Sequence, residues 1–318
     1  MDSVELDGVA SALVHALQVD GRAPFSRIAD VLGVSDRTVA RRFGRLRAHG
    51  LVRVTGVPDS DRTGYAEWLV RLRTRPGSAA LVARELARRQ DSSWVTVLSG
   101  GTEVVAVVRV EGELPLPMRV LAGHAQVDAV DAQRLLRHLT ARRWPGRTRA
   151  LTPEQVAALR IPEPETSGAV VLTDLDRRLL VALRLDGRAD FPSLARATGW
   201  SESAVRRRVD ELRRRGVVRF DVEIDAATLG FAVQAILWLT VSPARLAAVA
   251  DQLSAHTEVA FAGATTGPHN LVVLVVCRTA SDLFDYLSTT IGRIPGIERV
   301  ESAALTTIVK RTAPPRLP

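Results

Sequence analysis

Residues 13–54 read LVHALQVDGRAPFSRIADVLGVSDRTVARRFGRLRAHGLVRV, and residues 179–220 read LLVALRLDGRADFPSLARATGWSESAVRRRVDELRRRGVVRF. The two stretches align without a gap at a constant offset of 166, and 19 of their 42 paired residues are identical. A long self-match in one register indicates a duplication. The chain therefore contains two versions of one unit, which we name copy one and copy two.

Each copy carries the pattern of three short helices. Apolar residues at helical spacing end at an Asp-Gly turn signal, and a second apolar pattern breaks at a glycine. A serine then stands where a helix N-cap is favoured, and another glycine stands where the third helix should stop. The marker residues, with copy one first in each pair, are Leu13 and Leu179, Phe25 and Phe191, Gly33 and Gly199, Ser35 and Ser201, and Gly50 and Gly216. Three helices with a glycine-containing turn predict a helix-turn-helix in each copy.

The apolar period changes from helical to strand-like after each third helix. Copy two predicts strands at residues 231–241, 259–265, 271–277 and 297–309, with helices from 243 and at 281–291. That order is βαββαβ, a ferredoxin-like sandwich. Copy one shows the same order from Ala66 to Val110, but it becomes less regular around Pro115 and Pro117, where its second helix looks shortened. We therefore expect an α+β fold with two helix-turn-helix domains, each followed by a βαββαβ domain.

These patterns divide the chain into five segments. We expect helix-turn-helix domains at 1–55 and 173–221, and βαββαβ domains at 62–141 and 228–312. The linker, 142–172, is rich in proline and contains one possible helix from Pro153 to Leu159. The two sandwiches are expected to pack as a pseudo-two-fold pair, so that one chain mimics a dimer.

Copy two carries motifs beyond its helical pattern. It opens with Leu175-Asp176-Arg177-Arg178-Leu179-Leu180, and residues 266–270 read Thr-Gly-Pro-His-Asn between the two middle strands. With a helix-turn-helix, an arm and a βαββαβ domain, these motifs resemble the leucine-responsive regulatory protein/AsnC (Lrp/AsnC) family. The resemblance implies a sequence-specific transcriptional regulator that binds double-stranded DNA. It also implies that the ACT-like βαββαβ domain mediates assembly and binds a small effector such as an amino acid. The tandem arrangement departs from the single-copy pattern of that family.

The third helix of each copy has one apolar face and one polar face. Val39, Phe43 and Leu46 fall together in copy one, so the opposite face can reach a major groove. The candidate DNA-binding residues are Ser35, Arg37, Thr38, Arg41, Arg42, Ser201, Ser203, Arg206, Arg207, Arg208 and Arg214. Arg42 and Arg208 lie near the edge of the apolar stripe, where buttressing or phosphate anchoring is favoured over base reading. Any single arginine is equally compatible with a solvated face. Because the outward residues differ between the copies, we expect an asymmetric operator.

The loops between the middle strands are the candidate effector sites. The residues are Thr266, Gly267, His269 and Asn270 in copy two, and Ser99, Gly100, Thr102 and Glu103 in copy one. Asn270 stands where the family usually has a carboxylate, so copy two lacks the charge that would bind an ammonium group, whereas Glu103 restores a carboxylate. Ordinary hairpin turns explain the same residues equally well. We expect one competent effector site at most.

Composition bears on the partners and the compartment. Lys and Arg exceed Asp and Glu by 43 to 35, and Lys310 is the only lysine. This arginine bias suits phosphate contact, although a GC-rich genome produces it as well. The single cysteine, Cys277, lies in an apolar run, so we expect a buried thiol. The chain shows neither a signal peptide nor a membrane span, which predicts a cytoplasmic protein with no membrane partner.

The sequence shows no pattern for catalysis, a cofactor or a metal. The histidines have no partner at metal or catalytic spacing, and nucleotide-binding and nucleophile motifs are absent. Two other interpretations stay open: a siroheme decarboxylase-like enzyme on the same fold, and a nucleoid-architectural DNA binder. We also expect a homo-oligomer, a dimer or tetramer of the tandem chain. Strand faces such as Leu237, Leu239 and Val241 would supply its interface if they are not used within the chain.

Overall fold

The computed structural model describes residues 7–112, 123–139, 150–162 and 170–311. These residues form two compact units. The helical unit consists of the described residues up to Tyr65 and from 150 to Thr228. The barrel unit consists of those from Ala66 to 139 and from Leu229 onward. The first unit therefore collects the three-helix segments of both copies, and the second collects both strand-rich segments.

The elements follow the predicted order in each copy. Copy one contains α1 (Gly8–Val19), α2 (Phe25–Leu32), α3 (Asp36–Ala48), β1 (Val52–Pro58), α4 (Ser60–Thr63), β2 (Tyr65–Thr74), α5 (Ala79–Arg88), β3 (Ser92–Leu98), β4 (Glu103–Glu111) and β5 (Val127–His138). Between the copies lies α6 (Pro153–Leu159). Copy two contains α7 (Asp174–Leu185), α8 (Phe191–Thr198), α9 (Glu202–Arg214), β6 (Val218–Ile224), β7 (Val233–Val241), α10 (Leu246–Ser254), β8 (Val259–Thr265), β9 (Leu271–Cys277), α11 (Ala280–Asp285) and β10 (Ile297–Lys310).

The helix-turn-helix predicted for each copy is confirmed. Ser35 Oγ and Ser201 Oγ accept hydrogen bonds from backbone N–H groups three residues on, at 3.2 and 3.3 Å, so both serines cap their third helix. Gly33 and Gly199 precede them with left-handed φ values of 65° and 77°, which suit glycine best. The apolar stripes of α3 and α9 are buried, and they comprise Val39, Phe43, Leu46, Val205, Val209 and Leu212. The polar faces of both third helices are therefore turned outward.

Eight strands of the barrel unit close into one barrel. Their order is β10-β3-β4-β2-β5-β8-β9-β7, so each copy contributes a four-stranded sheet of ferredoxin-like order. The two sheets join at two antiparallel seams, β5 with β8 and β10 with β3. Each seam joins the last strand of one copy to the second strand of the other. The predicted pseudo-two-fold pairing of the two sandwiches is therefore confirmed.

In the described residues, α5 packs on the sheet of copy one, and α10 and α11 pack on the sheet of copy two. In copy two, Leu237, Leu239 and Val241 of β7 belong to a core that includes Val249 and Leu253 of α10. Their exposure is 0%, 0% and 1%, so these residues are used within the chain and the condition under which they would supply a self-association interface is not met. The reason is that β7 is an inner strand whose alternate residues face its own helices. A second core, with Leu69, Leu98, Val105, Ile236 and Trp238, fills the space between the two sheets.

Smaller expectations have mixed outcomes. The possible linker helix is confirmed as α6, and Cys277 is buried as predicted. The last helix of copy two is shorter than predicted, because α11 passes into a π turn at Tyr286–Thr290 and a 3-10 turn at Ile291–Arg293. The irregular region around Pro115 and Pro117 lies outside the described residues, and the exact domain boundaries stay predictions. Within the described ranges, no helix has the length and apolar character needed to cross a membrane.

Candidate nucleic-acid interface

The outward faces of α3 and α9 carry most of the predicted DNA-binding residues. In copy one, Arg37 and Arg41 are exposed. In copy two, Ser203, Arg206 and Arg207 are exposed on the equivalent face. Arg214 is exposed at the end of α9, and Thr38 is half-buried where its Oγ1 lies 2.9 Å from the capping Oγ of Ser35. Each helix therefore presents guanidinium groups to solvent from a capped N-terminal half.

The two outward faces differ in chemistry. Copy one places Ala40 and Gly44 beside its arginines, whereas copy two places Arg206 and Asp210 at the equivalent positions. The guanidinium carbon of Arg206 lies 4.1 Å from the centre of the Phe191 ring, a cation–π distance that orients this side chain. Copy two thus presents an additional oriented arginine and an additional carboxylate.

Arg208 is held from inside the helical unit. It donates to both carboxylate oxygens of Asp176 at 2.7 Å, and it also pairs with Glu211 at 2.7 Å. The hydrogen bond to Asp176 is the main reason that the pKa of Arg208 is raised. Burial would raise the pKa of Asp176, but hydrogen bonds from Arg208 and Thr173 outweigh it, and the pKa is lowered. Arg208 therefore ties the recognition helix α9 to the start of α7.

The equivalent contact in copy one is weaker. Ala10 stands at the position of Asp176, and Arg42 instead pairs with Asp7 at 2.5 Å. The side chains of Arg42 and Asp7 are 29% and 47% exposed, whereas that of Asp176 is fully buried. Water screens exposed pairs, so the copy-one contact stabilises its recognition helix less.

A reciprocal arginine clasp joins the two copies. Arg22 donates to the carbonyl oxygens of Gly187 and Ala189 at 2.6 and 2.9 Å. Arg188, its equivalent, donates to those of Gly21 and Ala23 at 2.8 and 3.0 Å. Burial is the first cause that lowers the pKa of Arg188, to about 10. Sequence reasoning missed this contact because it interpreted the repeated Asp-Gly-Arg-Ala only as a turn. The repeated arginine was a usable signal, because a turn needs only the Asp-Gly pair and does not explain why Arg-Ala follows it in both copies.

Two further contacts obey the same pseudo-two-fold relation. Asp20 pairs with Arg213 at 2.8 Å, and the equivalent residues Asp186 and Arg47 pair at 2.8 Å. Strands β1 and β6 pair antiparallel along their whole length. Because equivalent residues exchange equivalent contacts, a local pseudo-two-fold axis relates the two recognition helices. This is the isologous geometry of a symmetric dimer, formed here within one chain.

The copy-two candidate effector loop is tied to neighbouring strands. Thr266 exchanges backbone and side-chain hydrogen bonds with Arg134 at 2.9 Å, and Gly267 adopts φ 100°. The Asn270 side chain accepts from the N–H of Val241 at 2.9 Å and donates to its carbonyl oxygen at 2.7 Å. His269 lies with Nδ1 3.2 Å from Thr240 Oγ1. Asn270 therefore already uses both atoms of its amide.

The copy-one candidate loop is engaged in a similar way. Ser99 donates through its backbone to Ala304 at 3.0 Å, and the N–H of Gly100 donates to a threonine hydroxyl at 3.2 Å. Thr102 Oγ1 donates to the carbonyl oxygen of Ser99 at 3.1 Å. Glu103 accepts two hydrogen bonds from Arg71, at 2.8 and 3.0 Å. The carboxylate that was expected to meet an ammonium group therefore has a guanidinium partner.

One polar network connects the two candidate loops. Arg71 also pairs with Glu301 at 2.7 Å, and Glu301 lies 3.3 Å from His269 Nε2. The Arg71 guanidinium stacks over Trp238 at 4.1 Å, and its hydrogen bond is the first cause that lowers the pKa of Glu301. Arg71 and Glu301 thus connect Glu103 of one loop to His269 of the other. In the described part of the chain, no cluster of His, Cys, Asp and Glu has the arrangement of a metal site.

Comparisons with known proteins identify these parts. The AsnC-type helix-turn-helix domain matches residues 6–47 and 172–213, and the Lrp/AsnC ligand binding domain matches residues 234–315. An uncharacterized HTH-type transcriptional regulator of Pyrococcus furiosus is 33% identical over 141 residues, covering 44% of this chain and 95% of that protein. The HTH-type transcriptional regulator LrpA of Pyrococcus horikoshii is 30% identical over 131 residues, covering 41% and 93%.

The two recognition helices and the matched ligand-binding domain define a helix-turn-helix transcriptional regulator. The chain belongs to the Lrp/AsnC family and carries the family's helix-turn-helix twice. The siroheme decarboxylase NirDL, a solved structure, aligns with a TM-score of 0.66 and 15% identity over 98% of this chain and 95% of that chain. At that identity the likeness shows the shared fold alone.

Proposed function

We propose that one chain binds one asymmetric site on double-stranded DNA, with copy one and copy two reading its two halves. The reciprocal clasp of Arg22 and Arg188 carries this proposal, because it joins two exposed recognition helices through equivalent contacts. A symmetric dimer reads two equal half-sites. In this chain the backbones of the two copies are related by a local pseudo-two-fold axis, but the outward side chains of α3 and α9 differ, so the two half-sites should differ as well.

The outward residues indicate how the halves differ. Arg37 and Arg41 of α3 suit guanine O6 and N7, the acceptors that arginine contacts most often. Arg207 offers the same chemistry from α9, but Ser203 replaces the earlier arginine and Asp210 adds an acceptor for the amino group of cytosine. Ser35, Ser201 and Arg214 are the proposed phosphate contacts, and Arg42 and Arg208 are proposed to position their helices. The half-site of copy two is therefore expected to include a cytosine preference that copy one lacks.

The decisive experiment selects DNA fragments with the purified protein and maps the bound site by footprinting. We expect one site with two dissimilar halves, protected by a single chain. A palindromic footprint with equal affinities for both half-sites would contradict the proposal. Affinity that depends on salt but not on sequence would instead favour a nucleoid-architectural binder.

An amino acid or similar small molecule is the proposed effector, acting near the loop of Thr266, Gly267 and His269. The match of residues 234–315 to a ligand-binding domain supports this location. Because the side chains of Glu103, Asn270 and His269 are already paired, backbone groups of this loop are the proposed contacts. An amino-acid panel added to the DNA-binding assay tests it, with altered affinity as the expected result. We place this activity in the cytoplasm, where the DNA lies, and expect self-association through a surface other than β7.

A second candidate function is an enzyme acting on a tetrapyrrole. The whole-chain fold likeness to siroheme decarboxylase NirDL favours it, and one solved form of that enzyme holds an iron-uroporphyrin III analogue. We propose that this chain is not such an enzyme, because Arg37, Arg41, Arg206 and Arg207 stay exposed on two recognition helices. Adding the iron-uroporphyrin III analogue and recording the Soret band separates the two functions. A saturable shift would support the enzyme.

A further inference from the structure

Helix α6 covers one face of the helix-turn-helix in copy one. Gln155 Nε2 donates to the carbonyl oxygen of Val31 at 2.9 Å, and Arg27 donates to that of Ala158 at 2.6 Å. The N–H of Leu151 donates to His15 Nδ1 at 3.0 Å. Leu159 is fully buried, so α6 seals the groove between α1 and α2.

Among the described residues, no helix covers the same face of copy two. Val181 and Leu185 occupy the positions of His15 and Val19. Their exposure is 52% and 48%, whereas that of Val19 is 6%. The neighbouring alanines show the same contrast: Ala16 and Ala29 are buried, but their equivalents Ala182 and Ala195 are partly exposed, and Ala197 is exposed. We name Val181, Ala182, Leu185, Ala195 and Ala197 the copy-two dock.

Exposed aliphatic residues alone are common on protein surfaces. This face differs because its equivalent within the same chain holds a helix. Val181 is more apolar than His15, which it replaces, so the dock has lost a polar anchor and gained apolar surface. Such a change favours a helix with a more apolar face than that of α6.

The charge around the dock has also changed. Ser11, Ala12, Gln18 and Asp30 of copy one are replaced by Arg177, Arg178, Arg184 and Arg196. Arg178 and Arg196 are exposed. On α7, Arg178 lies three residues before Val181, so it shares the face of Val181 and Leu185. An apolar strip with a rim of arginines complements a helix that has carboxylates beside its aliphatic residues.

We propose that the copy-two dock binds an amphipathic, acidic helix of a partner protein. The helix would lay its apolar side along Val181 and Leu185, with aliphatic residues about four positions apart, as Leu151, Gln155 and Leu159 are spaced in the docked segment. Carboxylates at its edges would meet Arg178 and Arg196. The regulator would then contact a protein through copy two while α3 and α9 contact DNA.

A synthetic peptide tests this directly. The probe is the sequence of residues 150–161 with Gln155→Leu, which makes the docked side fully aliphatic, and Arg160→Glu, which adds a carboxylate. It is labelled with fluorescein and titrated with the full chain by anisotropy. We expect saturable binding that Val181→Asp, Leu185→Asp and Arg178→Glu each weaken at least tenfold. Leu81→Asp is the matched control, since Leu81 is 51% exposed on α5 in the other unit. It should leave peptide affinity unchanged.

The same variants are titrated with DNA and with phosphatidylserine vesicles. Retained DNA affinity together with lost peptide binding supports the dock and does not depend on the proposed operator. Three results overturn it: no saturable peptide binding, peptide binding that ignores Val181→Asp, or loss of DNA or vesicle binding without any peptide binding. The last result would assign the face to phosphate groups.

Discussion

Thr55 and Asp221 lie opposite each other at the centre of the β1–β6 ladder, and they occupy equivalent positions in the two copies of the repeat. The pairs on either side are related by exchange of the copies, with Val52 opposite Ile224 and Pro58 opposite Val218. The local two-fold axis therefore passes between Thr55 and Asp221. Since the strands lead directly from the recognition helices, this register sets how the two DNA-reading faces are related.

Gly21 and Gly187 allow the copies to approach closely along this axis. A Cβ on Gly21 would lie 2.9 Å from the carbonyl oxygen of Phe220, and one on Gly187 would lie 2.9 Å from the carbonyl carbon of Thr55. We expect Gly21→Ala or Gly187→Ala to lower the free energy of unfolding by about 1–3 kcal/mol, because backbone must shift. Urea denaturation measures this.

Gly44→Ala is the control for the glycine variants. Its Cβ would have no neighbour within 4 Å, and alanine favours a helix over glycine by about 1 kcal/mol. It should therefore stabilise the protein. Equal effects of Gly44→Ala and Gly21→Ala would contradict the close approach.

Arg41 and Arg207 are equivalent residues on the two recognition helices. We expect Arg41→Ala and Arg207→Ala each to weaken binding by about 1–3 kcal/mol through loss of contacts to bases or phosphates. The losses should map to opposite halves of the operator in competition assays with half-site variants. Arg84→Ala removes the same charge from an exposed position of α5 and should leave operator binding nearly unchanged. Identical half-site profiles for the two recognition variants would count against two distinct readers.

Asp176 positions α9 through Arg208. We expect Asp176→Asn to destabilise the protein by about 1–3 kcal/mol, because it weakens the charge-assisted hydrogen bonds to Arg208, which keeps Glu211 as a partner. Operator affinity should fall mainly at the copy-two half-site. Asp7→Asn is the copy-one counterpart. It keeps an oxygen for capping α1 and removes a largely exposed pair with Arg42, so it should cost about 1 kcal/mol or less. Thermal unfolding and footprinting of both variants give the comparison.

Glu67 makes the barrel sensitive to acid. Burial would raise its pKa, but Arg109 and His138, each with a nitrogen 2.7 Å from a carboxylate oxygen, outweigh burial and hold the pKa well below its usual value. A folded-state pKa below the unfolded one contributes stability at neutral pH that is lost as pH falls below about 4.5. We expect Glu67→Gln to be less stable at pH 7 and to differ less from wild type at pH 3.

Urea titrations across this pH range measure the difference. Glu85→Gln is the control, because Glu85 is largely exposed on α5. It should show no comparable change with pH. A Glu67→Gln defect that is as large at pH 3 as at pH 7 would rule out the ionised pair as its origin.

Short-range features were predictable from sequence. The caps at Ser35 and Ser201, the left-handed turns at Gly33 and Gly199, and the alternation of strands and helices depend on residues within a few positions of each other. Repetition at one offset then indicated two copies, and motif resemblance indicated the family. The outward arginines followed from the helical period alone.

Contacts between distant residues were not predictable in the same way. Nothing local to Glu103 indicates that Arg71 holds it, and nothing local to Asn270 indicates that its amide binds the backbone of Val241. The burial of Leu237 likewise depends on which strands flank β7. These contacts join residues that are far apart in sequence and meet only when the barrel forms. The periodicity of apolar residues does not specify which strands become neighbours.

The sequence by itself thus determined that this protein has two helix-turn-helix units of one family, because repeat identity and helical spacing are local properties. Only the tertiary structure decided how they combine. Arg22 bonds to carbonyl groups 165 and 167 residues away, and the two-fold ladder centres on Thr55 and Asp221. Backbone carbonyl groups are the same at every residue, so a hydrogen bond to one leaves no trace in the partner's side chain.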